Sequence, residues 1–179
     1  MSMKFWVNAL SLSRFGFALL QIQLLVDQRW ILASLLFWLV IISDFVDGYL
    51  ARKYHCTSAL GGFFDHSADA FFVSSGLLVL SLIGPIPLIL PILIVLAFLQ
   101  YMFDSKVLSG HQLRTSMIGR SNGIAYFILL GCTLMGPNIL PMIFTENVLF
   151  GLSIVLILTT LISMIDRLFA TLKIVKSND

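Results

Sequence analysis

Apolar residues in this chain run in long blocks instead of alternating with polar ones. Six blocks, at about 5–26, 30–52, 61–84, 86–103, 121–140 and 146–166, each come near the roughly 20 residues that a helix needs to cross the hydrocarbon of a bilayer. Turn-forming and polar residues punctuate them. Asp27-Gln28-Arg29 divides the first pair, Gly84-Pro85-Ile86-Pro87 separates the third from the fourth, and Gly136-Pro137-Asn138 with Pro141 divides the last two. A long polar segment from Asp104 to Arg120 precedes the fifth block. The first block follows Lys4 and continues to about Val26 without a small-residue cleavage site, which predicts a retained helix and not a signal peptide.

Basic residues orient these helices. Lys4 lies near the N-terminus, Arg52 and Lys53 follow the second block, Lys106, Arg114 and Arg120 lie between the fourth and fifth, and Arg167, Lys173 and Lys176 follow the sixth; Arg29 alone lies on the opposite side. Positive-inside bias predicts cytoplasmic termini and cytoplasmic 53–60 and 104–120 loops, as an even number of spans requires. The expected fold is an all-α membrane protein, a six-transmembrane-helix bundle forming a single domain over residues 1–179.

Composition agrees with the pattern. Of 179 residues 59% are hydrophobic and 11% charged, whereas soluble domains carry roughly 25% charged residues. A water-soluble globule cannot hide so much apolar surface. The net charge of +2 gives no electrostatic footprint for nucleic acid. Cys56 and Cys132 make no metal-ligand spacing and read as small apolar residues.

Against this background the acidic residues stand out. Four of the nine, Asp44, Asp47, Asp65 and Asp69, fall in the stretch SDFVDGYLARKYHCTSALGGFFDHSADA. An aspartate at a membrane helix centre costs about 2.5–3.5 kcal/mol, so carboxylates retained there point to function. On the second helix Asp44, Asp47, Gly48, Ala51 and Arg52 share one face; on the third, Gly61, Asp65 and Asp69 share another. A short loop folds the second stripe back on the first, so four carboxylates are expected to converge near the cytoplasmic surface. Hard oxygen ligands in that number suit Mg²⁺ or Mn²⁺. Gly48, Ala51 and Gly61 leave room for a flat base or a diphosphate, and Arg52 offers a planar fork to phosphate oxygens. Interhelical salt bridging is the plainer explanation, but Arg52 is the one basic residue that these two faces contain, too little for four carboxylates.

The pattern Asp44-x2-Asp47-Gly48-x2-Ala51-Arg52-x8-Gly61-x3-Asp65-x3-Asp69 resembles the full signature of the CDP-alcohol phosphatidyltransferase family. Eight specified positions would all be filled by chance about once in a billion starting points. The resemblance implies that Asp44, Asp47, Asp65 and Asp69 hold two divalent ions, that Asp69 is also the general base, and that Gly48, Ala51, Arg52 and Gly61 contact CDP. It further implies CDP-diacylglycerol as donor, a homodimer, and a bacterial-type inner membrane location with the active site facing the cytoplasm.

Within that family, Asn8-Ala9-Leu10-Ser11-Leu12-Ser13-Arg14 resembles the N-L-L-T-L-x-R opening of phosphatidylglycerophosphate and cardiolipin synthases. Arg14 is expected to contact a lipid or substrate phosphate, with snorkelling to the headgroups as the alternative. His66 stands where those synthases carry proline, Ala70 where they carry lysine, and Gly119-Arg120-Ser121-Asn122-Gly123 where they show G-K-x-K-T. The expected acceptor is glycerol 3-phosphate, followed by inositol phosphate and then serine or choline. Arg120, Arg114 and Lys106 are the candidate cations for its phosphate. A divalent-cation transporter is the rival from another class, but transporter sites favour the midplane and broken helices.

Overall fold

The computed structural model describes residues 3–54, 59–104 and 117–176, with side chains described for 12–50, 52–54, 61–103 and 117–169. These residues form six α-helices and no strand: α1 (Met3–Val26), α2 (Trp30–Lys53), α3 (Ala59–Ile83), α4 (Ile89–Asp104), α5 (Met117–Ile139) and α6 (Glu146–Lys176). Four carry stretches long and apolar enough to cross a membrane, namely Trp30–Leu50, Gly61–Ile83, Met117–Ile139 and Glu146–Phe169. The apolar stretches Leu12–Val26 of α1 and Ile89–Phe103 of α4 are shorter, so four of the six expected spans meet the length and hydropathy requirement among the described residues.

α3 is the central helix. Half of its span is buried, against 28% for the spans of α2 and α6, and it packs on α1, α4 and α5. Phe72, Leu77 and Leu80 of α3 meet Phe37 and Val40 of α2, Leu90 and Ile94 of α4, and Leu130 and Leu134 of α5 in one continuous core. Gly131 lets α5 approach α2 closely, since a Cβ there would lie 2.9 Å from the Phe37 ring. The outer surface is equally apolar. Ile31, Leu35, Trp38, Ile42 and Phe45 form an exposed stripe down α2 at helical spacing, and α6 exposes Leu158, Ile162, Ile165 and Phe169. Such a surface needs lipid as its solvent, and helices suit lipid because they satisfy their own backbone groups.

Connections follow local chemistry. After α1, Gln28 takes the left-handed conformation (φ 56°), with Arg29 N–H donating to the Leu24 carbonyl and Gln28 N–H to that of Leu25; this is a Schellman ending built without glycine. α4 starts at Ile89 and not at 86, because Pro87 disfavours helical backbone at Ile86 before it, and the first bond across the turn is Leu90 N–H to the Pro87 carbonyl. α5 runs through Pro137 to Ile139, close to the expected end at 140, since a proline in the last turn removes one hydrogen bond and Leu140 N–H still reaches the Gly136 carbonyl. α6 continues ten residues past the expected 166.

A candidate active site of carboxylates beside a cavity

The second half of α2 and the first half of α3 bring the four aspartates together. Each pair lies on one face of its helix, at spacings of three and four residues, and α2 and α3 both pack against α1, which these faces meet. There they meet Arg14, which is fully buried. Its Nη2 lies 2.9 Å from Asp44 Oδ1 and also pairs with Asp47 Oδ2; its Nη1 lies 2.8 Å from Asp65 Oδ1 and 2.6 Å from Asp69 Oδ1. One tine of the fork serves α2 and the other α3, so a single guanidinium ties three helices.

Arg14, expected to contact a lipid or substrate phosphate, lies fully buried against the four carboxylates, and it comes from α1, outside the two faces on which Arg52 is the one basic residue. Face geometry on α2 and α3 cannot reveal a partner contributed by a third helix. Even so, one guanidinium offsets one of four carboxylate charges, and each carboxylate offers about four lone-pair sites, so the demand for further cations stands. Ligand atoms of Asp44, Asp47 and Asp65 lie within 4.8 Å of one another, as do those of Asp65, His66 and Asp69. The two sets share Asp65. A donor set rich in carboxylate oxygens would suit hard divalent ions.

The remaining expected residues divide between two places. Gly48 lies beneath Arg52, whose guanidinium nitrogens would be 3.9 Å from a Cβ at that position, so a larger residue would begin to crowd the fork. Ala51 is in the last turn of α2 and Gly61, part-buried, in the first turn of α3. Arg52 and Arg120 are both exposed, and Arg120 is in the first turn of α5. Lys106 and Arg114 lie outside the described residues.

A cavity of about 580 Å³ opens beside the carboxylates, walled by α3, α4, α5 and α6. Asp44 and Asp69 line it, so the two features share side chains; Arg120 and Arg167 supply its positive charge. Arg167 lies with its guanidinium carbon 4.7 Å from the centroid of the Tyr101 ring, a cation–π arrangement that holds the charge at the cavity wall. Gln100 fixes α4 to α6 nearby, its Nε2 donating to the Met164 carbonyl at 2.9 Å. His66 also lines the cavity, its ring centroid 6.0 Å from that of Tyr101.

Sequence reasoning missed Tyr101, Asn122 and Arg167 as cavity residues. A signal existed on α6, where Thr160, Ser163 and Arg167 recur at helical spacing and all line the cavity. Asn122 falls in the segment that departs from the synthase pattern. Tyr101 sits in an apolar run and carried no mark.

Comparison with known proteins agrees with this arrangement. The family model for CDP-alcohol phosphatidyltransferase matches residues 5–170. A CDP-diacylglycerol--glycerol-3-phosphate 3-phosphatidyltransferase of Blochmanniella floridana is 40% identical over 50 residues, which is 28% of this chain and 26% of the relative. Proteins of the same name from Rickettsia typhi and Rickettsia felis are 50% identical over 42 residues and 43% identical over 49, covering 24% and 27% of each chain and relative respectively. These matches span about a quarter of the length of the relatives. With a family match across nearly its whole length and the complete set of aspartates gathered at one site, the chain belongs to the CDP-alcohol phosphatidyltransferase family.

Proposed function

We propose that this protein transfers the phosphatidyl group of CDP-diacylglycerol to the hydroxyl of glycerol 3-phosphate, releasing CMP. The observation that carries the reading is the position of Asp69, which belongs to the carboxylate cluster and also lines the cavity. A base so placed can serve an acceptor in the cavity while the donor's diphosphate lies against the cluster. The attacking hydroxyl forms a bond to the phosphatidyl phosphorus as the bond from that phosphorus to the CMP oxygen breaks. Asp69 takes the hydroxyl proton. Asp44, Asp47, Asp65 and Asp69 would hold two divalent ions of the Mg²⁺ or Mn²⁺ kind, which when bound neutralise the diphosphate and stabilise the departing CMP.

Gly48, Ala51, Arg52 and Gly61 are assigned to the CDP moiety, since the small residues admit it to the helix surface and Arg52 extends over Gly48. Arg14 is assigned to holding the carboxylates in register, because its guanidinium touches all four. The acceptor phosphate falls to Arg120 and Arg167. Ala70, which stands where similar synthases carry lysine, lines the same cavity, and Arg167 brings a cation to that space from α6.

Glycerol 3-phosphate is favoured because the relatives are named for it and two arginines suit a phosphorylated acceptor. Six spans with cytoplasmic termini, a site facing the cytoplasm, a bacterial-type inner membrane and a homodimer complete the reading. The basic-residue asymmetry supports the orientation, and family resemblance supports the dimer. Purified protein incubated with CDP-diacylglycerol and a panel of glycerol 3-phosphate, inositol phosphate, serine and choline should release CMP fastest with glycerol 3-phosphate. Faster release with serine or choline would defeat the acceptor assignment.

A further inference from the structure

The acceptor cavity contains two polar groups that the fold leaves open. Tyr101 and Asn122 both line it and are 8% and 6% exposed. Tyr101 Oη and Asn122 Nδ2 are shielded from the surface and have no hydrogen-bond partner among the described residues. Buried polar atoms are nearly always partnered, so two open ones in a single cavity indicate a ligand group that completes them. They sit on different helices, α4 and α5, and face the same space.

Neighbouring polar groups do not meet this need. The Thr160 hydroxyl donates to the Leu156 carbonyl at 2.6 Å, which leaves its oxygen to accept from Tyr126 Oη at 2.5 Å. Tyr126 Oη is the donor of that pair and keeps its lone pairs. The Asn122 amide lies beside the Tyr126 hydroxyl, yet its Nδ2 finds no acceptor there in hydrogen-bonding geometry. An amide N–H can only donate, whereas a phenol hydroxyl can donate or accept. The group that satisfies both must therefore accept from Asn122 and exchange a hydrogen bond with Tyr101. An alcohol oxygen does both. A trimethylammonium group does neither, and a phosphate would be drawn to the arginines in the same cavity.

We propose that Tyr101 and Asn122 read a second, non-reacting hydroxyl of the acceptor, so that the site selects phosphorylated polyols over phosphorylated simple alcohols. This rests on the transferase reading above and adds the acceptor feature that sets specificity. Arg120 and Arg167 hold the phosphate, Asp69 faces the reacting hydroxyl, and the Tyr101–Asn122 pair engages the additional one. A site built to hydrogen-bond a hydroxyl rejects the analogue lacking it, because its own polar groups then stay unpaired.

The test compares glycerol 3-phosphate with 3-hydroxypropyl phosphate, which keeps the phosphate and the attacking hydroxyl and lacks the middle one. CMP release is measured for the wild type, Tyr101→Phe and Asn122→Ala. Phenylalanine keeps the ring under Arg167, so the cation–π contact survives and only the hydroxyl is lost. The wild type should prefer glycerol 3-phosphate by about tenfold or more in kcat/KM. Each variant should lose most of that preference, falling far more on glycerol 3-phosphate than on the deoxy acceptor, with thermal unfolding in detergent serving as the check on folding. A wild type that treats the two acceptors alike would overturn the proposal, as would variants that keep the full preference or lose both acceptors in parallel. If the wild type releases CMP with serine or choline and with neither phosphate, the transferase reading loses its acceptor and the proposal falls with it.

Discussion

The two sides of the site are built on opposite principles. On the side of α1, α2 and α3 the polar groups face one another, and four carboxylates close on one buried arginine. On the side of α4, α5 and α6 they face a space, with two arginines and two open hydrogen-bonding groups set in an apolar wall. Ion pairs within the chain draw the first side tight, whereas the contacts of the second are left for a ligand to complete. Asp44 and Asp69 belong to both sides, and Asp69, the proposed base, is the residue where loss should be most severe.

Asp69→Asn should lower kcat by about a thousandfold or more, within the range that loss of a general base can cause, while binding of CDP-diacylglycerol largely persists. The amide keeps the shape but cannot take the acceptor's proton. Equilibrium binding of the lipid donor beside single-turnover kinetics separates the two effects, and near-normal turnover would remove Asp69 from this role.

Arg14 tests the closed side. Removing one partner of a buried ion pair commonly costs about 3–5 kcal/mol, because the other charge is left without compensation. Arg14→Gln should therefore reduce stability by that order in detergent with chelator present, read by thermal unfolding, and Arg14→Lys should lose less. If Arg14→Gln unfolds like the wild type, the guanidinium does not hold the three helices together.

The open side should respond more gently. Arg120→Ala should raise the KM for glycerol 3-phosphate about tenfold, equivalent to roughly 1.4 kcal/mol, and leave that for CDP-diacylglycerol nearly unchanged. Arg167→Ala should act in the same direction. Equal effects on both substrates would erase the division between the two sides.

How much of this could be read from the chain follows the same division. The helices were legible because apolar blocks end at Gly, Pro and charged residues, and the four aspartates because two of them stand on each of two consecutive helices. Pro137 falls inside the expected 121–140 block, where a proline in the last turn costs one bond and does not end the helix. Arg14 lies 33 residues from Asp47 and 55 from Asp69, so its fork depends on how α1 packs, which no face of α2 or α3 records. Tyr101, Asn122 and Arg167 come from three helices and acquire meaning only when those helices wall one cavity.

The central claim is that the carboxylate cluster drives phosphatidyl transfer through bound divalent ions. CMP release from CDP-diacylglycerol and glycerol 3-phosphate should therefore be measured on protein stripped by exhaustive chelation, with metal content checked by elemental analysis, and then on the same protein after addition of Mg²⁺ or Mn²⁺. The account predicts no release from the stripped protein and full recovery with either or both ions, as four carboxylates and one arginine cannot alone accommodate a diphosphate. Undiminished release from protein shown to be free of metal would contradict it.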